Sequence, residues 1–350
     1  MSFSDIVLKE VINDSCQEID MFNKMYMIRQ DIYAIFYKYK FKEQNDIIAG
    51  ICFSKDNDDI FFPKPEGKQW KIVARNKMKY MKGMNDEMID TNIKKIEIIL
   101  TKHLIKPIYQ YKYELKIQSY RNNKRDHIFY NNYDKRIKVH IPDKVYMKLK
   151  STIAQKYKAY FGYVIFRTML RYEVLLNSRN HQLGLIYNEI KDIDGILLKY
   201  YDIEGFASPI NRTLKYFCGA YPDVDKYYIG SLGSFFTHNF IKDKKYTVNP
   251  PYIENLMIRA AKHVEEELSR VDLKNVKIYM TIPVWDAKSL RELGEKPETE
   301  VPYEPYEIIR ESKYLVAINK YKLQDYKYMN HLSGDKVSAA HTFNIMLQKK

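Results

Sequence analysis

Between residues 201 and 347, short apolar or β-branched runs alternate with helix-length segments, and that rhythm admits few folds. The runs fall near 201–206, 245–248, 276–282 and 341–347. Residues 253–269, between the second and third, place Leu256, Ala260, Val264 and Leu268 on one helical face. Strands alternating with helices predict an α/β architecture with a mostly parallel sheet. Such sheets bind ligands outside the C-terminal ends of their strands. Two compact segments stand at those predicted ends: Ala207-Ser208-Pro209 after the first run and Asn249-Pro250-Pro251-Tyr252 after the second.

The N-terminal part reads differently. Residues 4–42 are helical, with Ile6, Val7, Val11, Ile12, Ile19 and Phe22 near a 3.6-residue period. Residues 55–67 form a loop around Pro63 and Pro65. A helix over 85–104 and strands over 109–120 and 136–141 follow, then a long apolar helix over 151–177. Met78, Met81, Met84 and Met88 fall near helical spacing and form a packing stripe. The expected boundary lies after residue 148. It separates a mainly helical α+β domain (1–148), an accessory for RNA binding, from an α/β domain (149–350).

Charge narrows the partner. The chain carries +14, and residues 101–150 hold 13 Lys and Arg against 4 Asp and Glu, a local +9. Such a balance suits an anionic partner, nucleic acid first, although a basic solubility surface also satisfies it. Tyrosines interleave with these charges, as expected for stacking on single strands. Tyrosine is common throughout, at 32 residues, so the interleaving adds little alone. Cys16, Cys52 and Cys218 are far apart and odd in number, against a disulfide framework or a thiolate metal site. The scattered histidines show no metal-ligand spacing either. No metal, no membrane span and a reducing compartment, cytoplasm or nucleus, are the expectations.

Asn249-Pro250-Pro251-Tyr252 carries the sharpest chemistry. The exocyclic N6 amine of adenine is a poor nucleophile because its lone pair is delocalised into the ring. The Asn249 side-chain carbonyl and the Pro250 backbone carbonyl offer two acceptors for its N–H groups. Pro250 and Pro251 fix φ and bring no N–H donor. Tyr252 offers a ring for stacking. The same tetrapeptide also serves as a plain turn after a strand.

Five segments occur in an order that is similar to the phosphorylated CTD-interacting factor family. Gly205–Asn211 resembles its Phe-Ala-Ser-Pro-Leu-Asn segment, and Tyr216–Asp225 its Tyr-Cys-Ser-Ala-Phe-Pro-Asp segment. Asn249–Tyr252 follows, with Tyr where the family usually has Phe. Ile282-Pro283-Val284-Trp285 resembles Ile-Pro-Glu-Trp, and Ala340-His341-Thr342 resembles a late histidine-containing strand. The resemblance spans roughly residues 150–350. It implies a Rossmann-like class I methyltransferase core that uses S-adenosyl-L-methionine. The implied reaction is N6-methylation of the cap-adjacent (2′-O-methyl)adenosine, with capped mRNA as partner. Only Trp70 and Trp285 occur, 215 residues apart, so a WW domain with its usual two tryptophans is not expected. That puts polymerase-tail recruitment in doubt. The pared-down form fits a large DNA virus or a unicellular eukaryote.

The resemblance and the strand ends together give the candidate residues. Phe206, Ala207, Ser208, Pro209, Asn211, Asp223 and Asn249 border the cofactor, and Asp225 is a further acceptor. Asn249, Pro250, Pro251 and Tyr252 act on the amine. Tyr252, Trp285, Arg171, Arg179 and His181, with Arg167 nearby, contact substrate. Gly230 and Gly233 form a loop over the site or an ordinary turn, and His341 is a site residue or a structural one. The rival functions are an adenine N6-methyltransferase acting on internal RNA or DNA sites and an inactive RNA-binding scaffold.

Overall fold

The computed structural model describes residues 3–39, 47–48, 51, 65–79, 81–104, 115–123, 126–132, 135–176, 182–297 and 302–350. The chain divides into two compact units, Met1–Arg179 and Asn180–Lys350. The helix around residues 161–176 thus groups with the first unit, where the sequence reading assigns it to the second.

In the first unit, α1 (Phe3–Ile35), α2 (Lys68–Lys79) and α3 (Asp86–Leu104) precede a small antiparallel sheet of β1 (Ile117–Arg121), β2 (His127–Asn131) and β3 (Lys138–Ile141). Helices α4 (Asp143–Thr152) and α5 (Phe161–Leu176) close it. The expected helix over 151–177 is broken. Ile153 and Ala154 have extended backbone, and one 3₁₀ segment, Gln155–Tyr160, leads into α5. Helix α1 packs on α5 and α3, and α5 packs on the sheet. Met78 and Met81 are buried, but Met81 follows the helix and Met88 is exposed, so the stripe is only partial.

The second unit is mixed α/β. Its elements are β4 (Leu183–Leu185), β5 (Ile203–Glu204), β6 (Tyr216–Phe217), α6 (Pro222–Ile229), β7 (Lys245–Val248), α7 (Glu254–Ser269), β8 (Val276–Pro283), α8 (Ala287–Glu292), α9 (Glu304–Arg310), β9 (Leu315–Tyr321), β10 (Tyr328–Asn330), β11 (Lys336–Val337) and β12 (Thr342–Lys349). Six strands form one sheet in the order β6-β5-β7-β8-β12-β9. Strands β5 to β8 run parallel, and β12 is antiparallel to both of its neighbours. All of β8 is buried, as in sheets covered on both faces. On one face Met257, Ala260, Val264 and Leu268 of α7 pack with Val248, Ile278, Met280, Ile282 and Phe343. On the other lies a tyrosine-rich layer of Tyr187, Tyr201, Tyr279, Tyr326 and Tyr328. Part of that layer is carried by the three-stranded β11-β10-β4 sheet.

Candidate active site at the sheet edge

From β5 the chain steps to β6 on one side and then crosses through α6 to β7 on the other. The strand order reverses there, which opens a crevice at the C-terminal ends of β5 and β7. Because β5 to β8 are parallel, Gly205–Asn211, Cys218–Asp223, Asn249–Tyr252 and Val284–Trp285 all emerge at that edge. His341, just before β12, joins them through its carbonyl, which accepts from Val284 N at 2.8 Å.

The loop after β5 is built by its own polar side chains. Gly205 N donates to Thr247 O at 2.7 Å, extending the pairing with β7. A Cβ at Gly205 would lie 2.8 Å from the Phe235 ring, so only glycine fits. Ser208 Oγ donates to Gln182 Oε1 at 2.6 Å and accepts from Ile210 N and Asn211 N. Asn211 Oδ1 accepts from Ser208 N, and its Nδ2 donates to Leu183 O. These two side chains hold the loop in shape, so their polar atoms serve the protein itself. Buried Glu204 accepts from Thr213 N at 2.8 Å and Leu214 N at 3.2 Å and folds the connection back toward β6. Phe206 stays half-buried, tilted on Phe235 with centroids 4.6 Å apart. Ala207 and Pro209 complete the turn.

Beyond β6, Asp225 is fully buried and accepts from Tyr221 N. Its carboxylate would lie 2.2 Å from a Cβ at Gly219. Asp225 therefore braces the turn. Asp223 is half-buried in the first turn of α6. Gly230 ends α6 in the left-handed region. Gly233 accepts from Gly219 N, and Leu232 N donates to Phe217 O. The Gly230–Gly233 segment thus lines the β6 edge, the ordinary-turn alternative.

At the end of β7 the polar inventory changes. Asn249 Oδ1 is buried and has no hydrogen-bond partner among the described residues. Pro250 is buried, and Pro251 O accepts from Ile253 N at 2.7 Å to set the turn into α7. Tyr252 is half-buried, edge-on to Trp285 (centroids 6.5 Å, 75°) and to Tyr328 (6.2 Å, 86°). Trp285 is partly exposed and packs on Tyr303 at 5.6 Å. The Tyr252 and Tyr328 hydroxyls are hydrogen-bonded. Tyr328 also pairs with Thr342 Oγ1 at 3.2 Å, and Thr342 donates to the Ala340 carbonyl at 3.0 Å. A carbonyl only accepts, so the chain runs Tyr252 to Tyr328 to Thr342 to Ala340. Tyr252 thus gives its proton away from the crevice. Burial, reinforced by Tyr328, holds its phenol well above the ordinary value and keeps it neutral.

Asn249, Pro250, Tyr252 and Trp285 therefore meet at one edge with Phe206 and Asp223. Arg171 is fully buried in the first unit and pairs in two-point fashion with Glu18, at 2.8 and 2.7 Å. Arg167 pairs with Asp14 at 3.0 Å. The sequence reading of Arg171, with Arg167 nearby, as a substrate contact is corrected: both side chains tie α5 to α1. Arg179 and His181 lie outside the described residues. His341 is engaged structurally, its Nδ1 accepting from Leu323 N and its Nε2 lying 3.6 Å from Glu295. Tyr328, Thr342 and Gln182 support the site unforeseen. In a chain with 32 tyrosines nothing marks Tyr328, which packing of remote segments brings to Tyr252.

The family described as Phosphorylated CTD interacting factor 1 WW domain has a model that matches residues 143–300. That stretch holds one tryptophan, Trp285. It includes β5 to β8 and the Asn249–Tyr252 turn. The match supports a relationship to that family over those residues.

Proposed function

We propose that residues 180–350 form a Rossmann-like class I methyltransferase core acting on the N6 amine of adenine in RNA, most specifically the cap-adjacent (2′-O-methyl)adenosine of mRNA. The observation that carries this reading is the buried, unpartnered Oδ1 of Asn249 at the strand-order reversal. An acceptor left without a donor in a protein interior costs about 1–3 kcal/mol, so a donor supplied by a ligand is its natural complement. An amine with two N–H groups satisfies Asn249 Oδ1 and the Pro250 carbonyl together.

The residues do the following. Asn249 and Pro250 accept from the amine, which frees its lone pair. Pro251 brings no N–H that would compete. Tyr252 and Trp285, edge-on to each other, offer apolar ring surface for a planar base. The Tyr252 hydroxyl adds no donor toward the crevice, because its proton is held by Tyr328. S-adenosyl-L-methionine, when bound, supplies an activated methyl group, so positioning and electrostatics are what remain for the protein. The edge suits it: Phe206 offers a half-buried ring, Asp223 a half-buried carboxylate for hydroxyls, and the Ala207–Pro209 turn is rigid. Ser208 and Asn211 would hold that turn without touching the cofactor.

Transfer of labelled methyl groups to capped RNA, the same RNA uncapped, and single-stranded DNA tests the substrate. Labelling of the capped RNA alone supports the cap-adjacent site. Equal labelling of capped and uncapped RNA moves the reading to internal adenines. Cofactor binding without transfer to any substrate would leave an inactive scaffold.

A further inference from the structure

We infer that the outer face of the β1–β2–β3 sheet is a stacking platform for single-stranded nucleic acid. The inference rests on the proposed function only for the class of partner. Side chains alternate between the two faces of a strand. In the observed register, Ser119, Phe129 and Val139 share one face, and Phe129 and Val139 are buried. A Cβ on Gly162 of α5 would lie 3.8 Å from Ile117 and 3.9 Å from Phe129, so this is the face that packs on α5. The opposite face carries Gln118, Tyr130 and Lys138 in one row and Tyr120, Ile128 and His140 in the next. Lys116, two residues before Gln118, continues that face.

Three observations give this face a partner. Its composition is two tyrosines, a histidine and two lysines, with no carboxylate among the described residues that share the register. Tyr120 is half exposed and stands edge-on to Tyr130, centroids 6.0 Å apart and rings at 63°. Tyr120 thus keeps half its surface in solvent while Tyr130 packs against it, with buried Ile128 beside them. Among the described residues Lys116 and Lys138 form no ion pair, whereas Arg121 is engaged by Asp143 at 2.8 Å. Arg121 therefore braces the sheet end, and the free positive charge is on the lysines. A polar, ring-bearing, cationic sheet face suits unstacked bases and a phosphate backbone. A duplex hides its base faces and has no use for exposed rings.

Stacking and charge leave different signatures, and the test separates them in the full-length chain. The probe is a fluorescently labelled, uncapped single-stranded RNA, followed by anisotropy across a salt series, beside the same sequence as a duplex. Tyr120→Ala/Tyr130→Ala is expected to weaken single-strand binding at least about tenfold with its salt slope unchanged. Lys116→Gln/Lys138→Gln is expected to reduce that slope by about 1.4, from about 0.7 for each phosphate contact. Tyr120→Phe keeps the ring and is expected to bind like the unaltered protein, which guards against a folding artefact. Methyl transfer to a cap dinucleotide, measured in parallel, is expected to be unchanged. The inference is overturned if the unaltered protein prefers the duplex or binds no single strand, or if the two double variants match it in affinity and slope. Because binding and transfer are read separately, either claim can fail while the other stands.

Discussion

At Tyr252 a hydroxyl is spent on structure and a ring on function. The hydroxyl ends in a hydrogen-bond chain to the Ala340 carbonyl, and the ring meets Trp285. Tyr252→Phe removes one buried hydrogen bond, and Tyr328 keeps its own bond to Thr342. We expect Tyr252→Phe to lose no more than several-fold in kcat/KM, in line with about 1 kcal/mol per hydrogen bond. Tyr252→Ala removes the stacking surface and is expected to lose well over tenfold, mostly in KM. Equal losses for the two variants in steady-state kinetics would mean that the hydroxyl acts in the reaction. The cysteines behave oppositely to a reactive site. Burial pushes the Cys218 thiol up to about 12 and Cys16 up to about 11. Neither should react with an alkylating reagent at pH 8 in the folded protein, and both should react in denaturant, as read by peptide mass spectrometry.

Among the elements, what was legible in the sequence follows burial pattern and length. Strand β7 and helices α3 and α7 lie where their periodicity predicts, because each carries a complete apolar face. Strands β6, β10 and β11 were not foreseen; with two or three residues each, they leave no period to read. Helix α5 misled for a different reason. Its apolar run extends back through 151–160, but Ile153 and Ala154 leave the helix and the run becomes 3₁₀. The site was legible where chemistry is local, at Asn249–Tyr252. It was opaque where a side chain's partner is remote in sequence, as with Arg171 and Glu18, 153 residues apart. That pair yields a prediction. Arg171→Met takes the two-point partner from the buried Glu18 carboxylate and leaves it with the more distant Arg167 Nε at 3.4 Å, which should lower unfolding stability by about 3–5 kcal/mol. Arg171→Met combined with Glu18→Leu should recover much of the loss in denaturant titrations. No recovery would mean that the pair specifies the α1–α5 packing through shape alone.

Over the whole molecule, the buried tyrosines on both faces of the second unit's sheet set an alkaline limit. Burial raises the phenols of Tyr187, Tyr201, Tyr246, Tyr279, Tyr303, Tyr326 and Tyr328, the last to about 12, from an ordinary 10.0. A group whose folded pKa lies above its unfolded value contributes stability that is complete below the unfolded value and is lost as pH rises toward the folded one. Unfolding stability should therefore fall steeply above pH 10. In an alkaline titration these tyrosines should ionise in step with loss of tertiary signal, and gradual ionisation in a still-folded protein would contradict their burial. The central claim concerns the C-terminal edge of the sheet, where Asn249 waits for a donor. Its most direct measurement is nucleoside analysis of capped RNA after incubation with S-adenosyl-L-methionine and either the unaltered protein or Asn249→Ala. The account predicts N6-methyladenosine with the unaltered protein, at least a tenfold loss of rate in the variant, equivalent to about 1.4 kcal/mol, and cofactor affinity in calorimetry that barely changes. Methyl groups on another atom, or an Asn249→Ala variant that keeps its rate, would contradict it.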